Sequence, residues 1–325
     1  MKHFRVIAPS SAFFYNEPEF ARAIERFREL GIEISFGKCL GHGGITGSAS
    51  PADRASEFMD AFTDPNIDGI ISVIGGVNSE EILDLIDWET VAKHPKFFCG
   101  FSDITVLQNA LLAKCGMTTF SGPHFTSFYQ KQNFEYALEY FKRSLAGGKW
   151  SVTPCEKWAD DKWWLHQDDR TFYPNDGWKV INPGRAVGRI IGGNNCSLAL
   201  LQGTQYMPSL KDSVLFLEEA EVGEGGADDT FAFFLRQLGG IIMQSDFDGV
   251  RGIVIGRFHK GAKVTDEHLK YMVDSHPKLK NIPIIANLDF EHTTPIFTFP
   301  IGGHCEFIAD KNNKITLTLQ SKAMI

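Results

Sequence analysis

Along roughly the first 125 residues, short apolar runs alternate with segments whose apolar positions recur every three or four residues. "FRVIAPS" (4–10) is an apolar run ending in small residues, the pattern of a strand and its turn. "EPEFARAIERFRELG" (17–31) puts Phe20, Ile24 and Phe27 on one helical face, with Gly31 as the C-terminal cap. "IEISFG" alternates as a strand does, and "PADRASEFMDAFTD" reads as a helix opened by Pro51. "IDGIISVIGG" (67–76) is apolar almost throughout, the mark of a strand covered on both faces. "SEEILDLID" and "WETVAKH" read as short helices, and "KFFCGF" (96–101) as another buried strand. Ile104, Leu107, Leu111 and Cys115 then form an apolar helix face closed by Gly116. The alternation predicts an α/β domain, a parallel sheet with helices on both sides, spanning residues 1–145.

Residues 146–185 break this rhythm. They have little periodicity and many turn residues, yet hold five of the chain's six tryptophans. That is too aromatic for a disordered linker and predicts a folded, aromatic-rich excursion between two domains. Strand patterns dominate from 186 to 325: "AVGRIIGG", "SVLFLEEA", "GVRGIVIG", "IPIIANL", "PIFTFPIG", "CEFIAD" and "KITLTLQ". Two helical segments, "DDTFAFFLRQLG" and "VTDEHLKYMVDSH", interrupt them. The expectation is a second, β-rich α+β domain.

Composition narrows the classes. A chain of 325 residues is long for one domain and suits two. Hydrophobic content of 43% and a net charge of −8, with no basic cluster, describe a globular protein and argue against a nucleic-acid surface. The apolar runs fall short of a membrane span, and Arg5 interrupts the first of them, so a buried strand is expected there rather than a signal peptide. Six scattered cysteines without a CxxC pair argue against a disulfide framework and against a structural zinc site; reduced thiols in a cytoplasmic protein are expected.

Three polar places follow strand-like runs. Ser102 and Asp103 sit between "KFFCGF" and an amphipathic helix, where Gly100 permits a sharp turn. This suits a nucleophile turn with backbone N–H groups nearby, and equally an ordinary helix N-cap. Glu218 and Glu219 close a buried run, as a carboxylate held at a strand end or as a charged turn. His292 lies in a polar turn whose exit Pro295 fixes; it is a natural general base, or a surface residue among ten histidines. Together they supply the residue types of a nucleophile, a base and a carboxylate that orients the base. Gly75 and Gly76 end a strand where bare backbone can approach a ligand or serve as a tight turn, but the loop lacks the spacing of a phosphate cradle.

Four blocks in order, from "IGGVNSEEILDLIDWETVAKHPKFFCGFSDITVLQNALLAKCGMTTFSGP" through "GRIIGGNNCSLALLQGTQYMPSL" and "VLFLEEAE" to "DFEHTTPIFTFPIGG", resemble the serine peptidase family of LD-carboxypeptidases and microcin-C immunity peptidases. The resemblance runs from about residue 4 to the C-terminal strands. It implies Ser102 as nucleophile in the "GFSD" turn, Glu218 as the triad carboxylate and His292 as the base in a His-Thr-x-Pro turn. It implies an oxyanion hole from the N–H groups of Gly76 and Asp103, no metal or other cofactor, and a homodimer. Gly75 and Asn78 lie in the expected substrate loop. Glu291 stands where relatives often have glycine, and is a candidate for perturbing the base or binding a cation. The loop "GGVNSEEIL" lacks the arginine usual in muropeptide-cleaving members, so the chain resembles the microcin-immunity branch more closely. That branch stacks a nucleobase on an aromatic insert, which points to Trp163 and Trp164; interdomain or dimer packing is the other reading of these rings. The expected activity is hydrolysis of an amide bond near a free carboxylate in an aminoacyl-nucleotide or peptide-nucleotide compound. The alternatives are removal of D-amino acid termini from muropeptides, and a non-enzymatic small-molecule binding protein on the same fold.

Overall fold

A computed structural model describes residues 1–13, 17–220, 227–290 and 292–323. Glu291 and most of the glycine-rich stretch after Ala220 therefore lie outside the described residues. The N-terminal half runs β1 (Lys2–Ile7), α1 (Glu17–Glu29), β2 (Ile32–Phe36), α2 (Pro51–Thr63), β3 (Gly69–Ser72), α3 (Trp88–Ala92), β4 (Phe97–Gly100), α4 (Thr105–Cys115), β5 (Thr119–Ser121) and α5 (Glu135–Ala146). Then come β6 (Gly148–Val152), β7 (Lys157–Trp158), β8 (Tyr173–Pro174), β9 (Lys179–Asn182), β10 (Gly184–Asn194), α6 (Asn195–Ala199), β11 (Ser213–Glu218), α7 (Ala227–Ile242), β12 (Val250–Gly256), α8 (Asp266–Ser275), β13 (Ile284–Leu288), β14 (Phe299–Ile301), β15 (His304–Ala309) and β16 (Ile315–Ser321).

The first sheet has the order β14-β5-β4-β3-β1-β2, with β1 to β5 parallel. Its apolar faces form two separate cores. Phe27, Phe97, Phe120, Phe128 and Phe141 fill one side; Phe58, Phe62, Phe98 and Leu107 fill the other. This is why "IDGIIS" reads as a continuous apolar run: β3 is buried along its whole length. Local punctuation acts as expected. Ser50 caps α2 by accepting from Asp53 N–H, Pro51 takes the first turn, and Gly116 ends α4 in the left-handed region at φ +61°.

The second sheet has the order β6-β16-β15-β10-β11-β12-β13-β9. Its centre, β10 to β13, is parallel, and antiparallel strands flank it. The two halves trade edges. β14, in the strand-rich C-terminal half, pairs with β5 of the first sheet. The aromatic segment supplies both edges of the second sheet, β6 beside β16 and β9 beside β13. Alternation along a strand reports burial, not the identity of its partner, so the sequence pattern is blind to such exchanges. Among the described residues no helix is long and apolar enough to cross a membrane.

Candidate active site

In parallel sheets ligands gather beyond the carboxyl ends of the strands, near the point where strand order reverses. The first sheet reverses between β1 and β3, and the loops after β1, β3 and β4 meet there. Ser11 N–H donates to the carbonyl of Gly75 at 3.1 Å. Buried Arg54 of α2 clamps the same loops. It donates to the carbonyls of Pro9 and Asn78 at 3.1 and 2.9 Å and pairs with Glu81.

After β4, Phe101 is extended and Ser102 takes φ +61°. A side-chain-bearing residue in that region carries roughly 1–2 kcal/mol of strain. Gly100 is not the turning residue; its missing Cβ makes room for Ser72 Oγ, 2.2 Å from where that atom would lie. Nor is Ser102 an N-cap. The short turn before α4 starts from Phe101, and no side chain caps it. The Ser102 hydroxyl instead lies 3.0 Å from His292 Nε2.

His292 Nδ1 lies 2.9 and 2.8 Å from the two oxygens of Glu218, and its backbone N–H donates to the same carboxylate at 3.3 Å. A proton on Nδ1, opposite the carboxylate, leaves Nε2 as the acceptor facing Ser102. Glu218 is the last residue of β11 and only 1% exposed. The Asn194 amide donates to it at 2.8 Å from the end of neighbouring β10. Glu219, next in the chain, is also buried; burial and then the Glu218 charge push its carboxyl up to about 8.

Ser102 and His292 open on a cavity of about 400 Å³. Gly75 and Gly76 line it, and so do Trp163 and Trp164. A Cβ on Gly75 would stand 2.8 Å from Ser102 Cβ, so bare backbone packs against the serine. Gly76 has φ +111°, and a Cβ there would meet Ser11 Oγ at 2.0 Å. Among the described residues neither the Gly76 nor the Asp103 N–H has a hydrogen-bond acceptor. The Asp103 side chain is buried and tied down by Ser10 Oγ at 2.5 Å and Ser79 N–H at 2.8 Å, and burial pushes its carboxyl up. Trp163 and Trp164 meet edge to face at 5.9 Å, and Trp164 is 60% exposed.

Asn78 is not brought to the cavity. Its carbonyl is held by Arg54 and its amide faces Glu81 at 3.4 Å. Sequence reasoning missed Asn194 and His124, which lines the cavity behind Phe101. The "GGNN" turn was the available signal for Asn194; nothing local marks His124 in "SGPHFTSFY".

Residues 4–122 match the LD-carboxypeptidase N-terminal domain, and residues 187–307 the LD-carboxypeptidase C-terminal domain. The protein named "Putative carboxypeptidase YocD" of Bacillus subtilis (strain 168) is 38% identical over 308 residues, 94% of this chain and 93% of that one. The crystal structure of an MccF-like protein from Bacillus anthracis str. Ames superposes with a TM-score of 0.95 at 42% identity, covering 99% of this chain and 97% of that one. The microcin C7 self-immunity protein MccF, known from Escherichia coli, was solved with aspartyl sulfamoyl adenosine; it superposes with a TM-score of 0.85 at 27% identity, covering 99% and 96%.

Proposed function

The chain belongs to the LD-carboxypeptidase family of serine peptidases, and from that premise we propose that it is a microcin-immunity-like hydrolase of aminoacyl- or peptidyl-nucleotide compounds. In this reading Ser102 Oγ attacks the acyl carbon while His292 Nε2 takes the hydroxyl proton. The oxyanion receives the N–H groups of Gly76 and Asp103. The imidazolium, stabilised by buried Glu218, then protonates the leaving nitrogen, and the acyl–nitrogen bond breaks. Water, deprotonated by the same imidazole, releases the acyl group and restores Ser102. Trp163 and Trp164 offer flat apolar faces to a nucleobase at the cavity mouth. The resemblance also suggests a cytoplasmic homodimer.

The observation that carries the reaction is the unbroken hydrogen-bonded line from a strained serine through His292 to a buried carboxylate. The substrate class draws on the likeness to MccF, whose structure holds aspartyl sulfamoyl adenosine. Trimming of muropeptide D-amino acid termini is the second reading, favoured by the domain family's description.

A fluorophosphonate probe should label the native protein and fail to label Ser102→Ala; equal labelling of the two would remove Ser102 as nucleophile. Given aspartyl sulfamoyl adenosine, the native protein should release aspartate. Release of a terminal D-amino acid from a muropeptide, with no action on the nucleoside, would reverse the substrate assignment.

A further inference from the structure

A second histidine faces the cavity. His124 follows β5 and is only 3% exposed, yet it belongs to the cavity lining. Its ring lies against Phe101, centroids 4.1 Å apart and planes at 26°, and Phe101 precedes Ser102 and meets His292 edge-on at 5.4 Å. His124 therefore stacks behind the residue that precedes Ser102.

Its hydrogen bonds fix where the ring stands. Nδ1 lies 2.7 Å from Ser72 Oγ, which is itself 3.5 Å from the carbonyl of Cys99, and the backbone N–H of His124 donates to Ser127 Oγ at 3.1 Å. Nε2 is not among the buried atoms lacking a partner, and no described residue bonds to it, so it opens into the cavity. Burial, and then the nearby His292, hold His124 well below the ordinary histidine range. A neutral ring does not oppose the imidazolium that forms on His292 during acyl transfer.

We infer that His124 is a substrate-contacting residue: its Nε2 hydrogen-bonds a polar group of the bound acyl compound beside the scissile carbon. This rests on the aminoacyl-nucleotide reading of the cavity. The ring is held by Ser72 and Phe101, and its backbone by Ser127, before any ligand arrives, so forming the contact orders little.

The test uses aspartyl sulfamoyl adenosine as ligand and the Ser102→Ala protein as the non-turning-over background, with binding read by calorimetry. Adding His124→Asn keeps a polar group near the Nδ1 position and removes the distal nitrogen. Adding His124→Gln places an amide group near the Nε2 position. The Asn variant should bind about tenfold or more weakly, the usual size of one lost hydrogen bond to a charged or strongly polar partner. The Gln variant should recover most of that loss, and the loss should be equal at pH 6 and pH 8. Unchanged binding in the Asn variant, or equal weakness in both, would overturn the inference. No binding by Ser102→Ala alone would remove the substrate class and this inference with it. Absence of fluorophosphonate labelling in the native protein would remove the hydrolase reading while leaving His124 to be judged by the calorimetry.

Discussion

Ser102 shows what one residue can and cannot disclose. Its place before a helix suits a cap as well as a nucleophile, and only its positive φ and its 3.0 Å approach to His292 separate the two. Glu218 and Glu219 are a sharper case: identical side chains, adjacent in sequence, both buried, with different surroundings. Glu218 faces His292 Nδ1 and the Asn194 amide. Glu219 is held up to about 8, against an ordinary value of 4.5, by burial and by its neighbour's charge. Between those two values the folded chain keeps a proton that the unfolded chain has shed. Stability therefore falls as pH rises from about 4.5 to about 8 on account of this group. Glu219→Gln removes the effect, so its gain in Tm over the native protein should grow from pH 5 to pH 9. A difference independent of pH would mean that Glu219 ionises freely in the folded state.

At the scale of elements, the strand ends of the second sheet are bound to the aromatic segment by one polar cluster. Arg257, just past β12, pairs with Asp289, just past β13, at 2.9 Å, with the side chains 4% and 1% exposed. Asp289 also accepts from Cys155 N–H at 3.2 Å, Asn175 Nδ2 at 3.1 Å and Trp178 Nε1 at 3.0 Å. Arg257 lies over the Trp158 ring at 4.7 Å. The same segment bridges the His292 turn, where Ala159 and Thr294 exchange backbone hydrogen bonds and Arg170 donates to Thr294 Oγ1 at 2.7 Å. The tryptophan-rich composition marked this region as folded. Its attachment was not legible, because β6 and β9 are short and their partners lie more than a hundred residues away. Asp289→Ala leaves the buried Arg257 guanidinium without its counter-charge, bonded only to the neutral acceptors of Asn175 and Asn287, and should cost about 3–5 kcal/mol of unfolding free energy. A denaturant midpoint equal to that of the native protein would show that these neutral acceptors suffice for Arg257.

For the whole molecule, the decisive contact is the seam between α4 and β10. Asn109 of α4 donates to the carbonyl of Gly192 at 2.9 Å and accepts that residue's N–H at 3.3 Å. Thr105 Oγ1 accepts Asn194 N–H at 3.0 Å. Gly192 has φ +137°, and a Cβ there would stand 1.9 Å from the carbonyl oxygen of Phe216, so the strand passes where a side chain cannot. The helix that follows Ser102 is thereby registered against the strand whose last residue holds Glu218. Asn109→Leu leaves the Gly192 peptide groups buried without partners. Stability should drop by about 1–3 kcal/mol, and kcat should fall more than KM changes, since the misfit lies between the proposed nucleophile and base. An unchanged kcat would show that the seam tolerates this loss without moving Ser102.

Local pattern was enough for much of this. Apolar runs and helical periods are read within a few residues, so the parallel first sheet, the caps at Gly31 and Gly116 and the strand-rich second half were legible in the chain itself. The residue types at positions 102, 218 and 292 and their family pattern were legible too. The meeting of Ser102 and His292 across 190 residues was decided by the packing of two sheets. So were the traded edge strands, the turning of Asn78 toward Arg54 and the neutral state of His124. Hydrogen bonds and desolvation depend on ångström distances between segments remote in sequence, and a pattern of neighbours along one chain does not encode those distances.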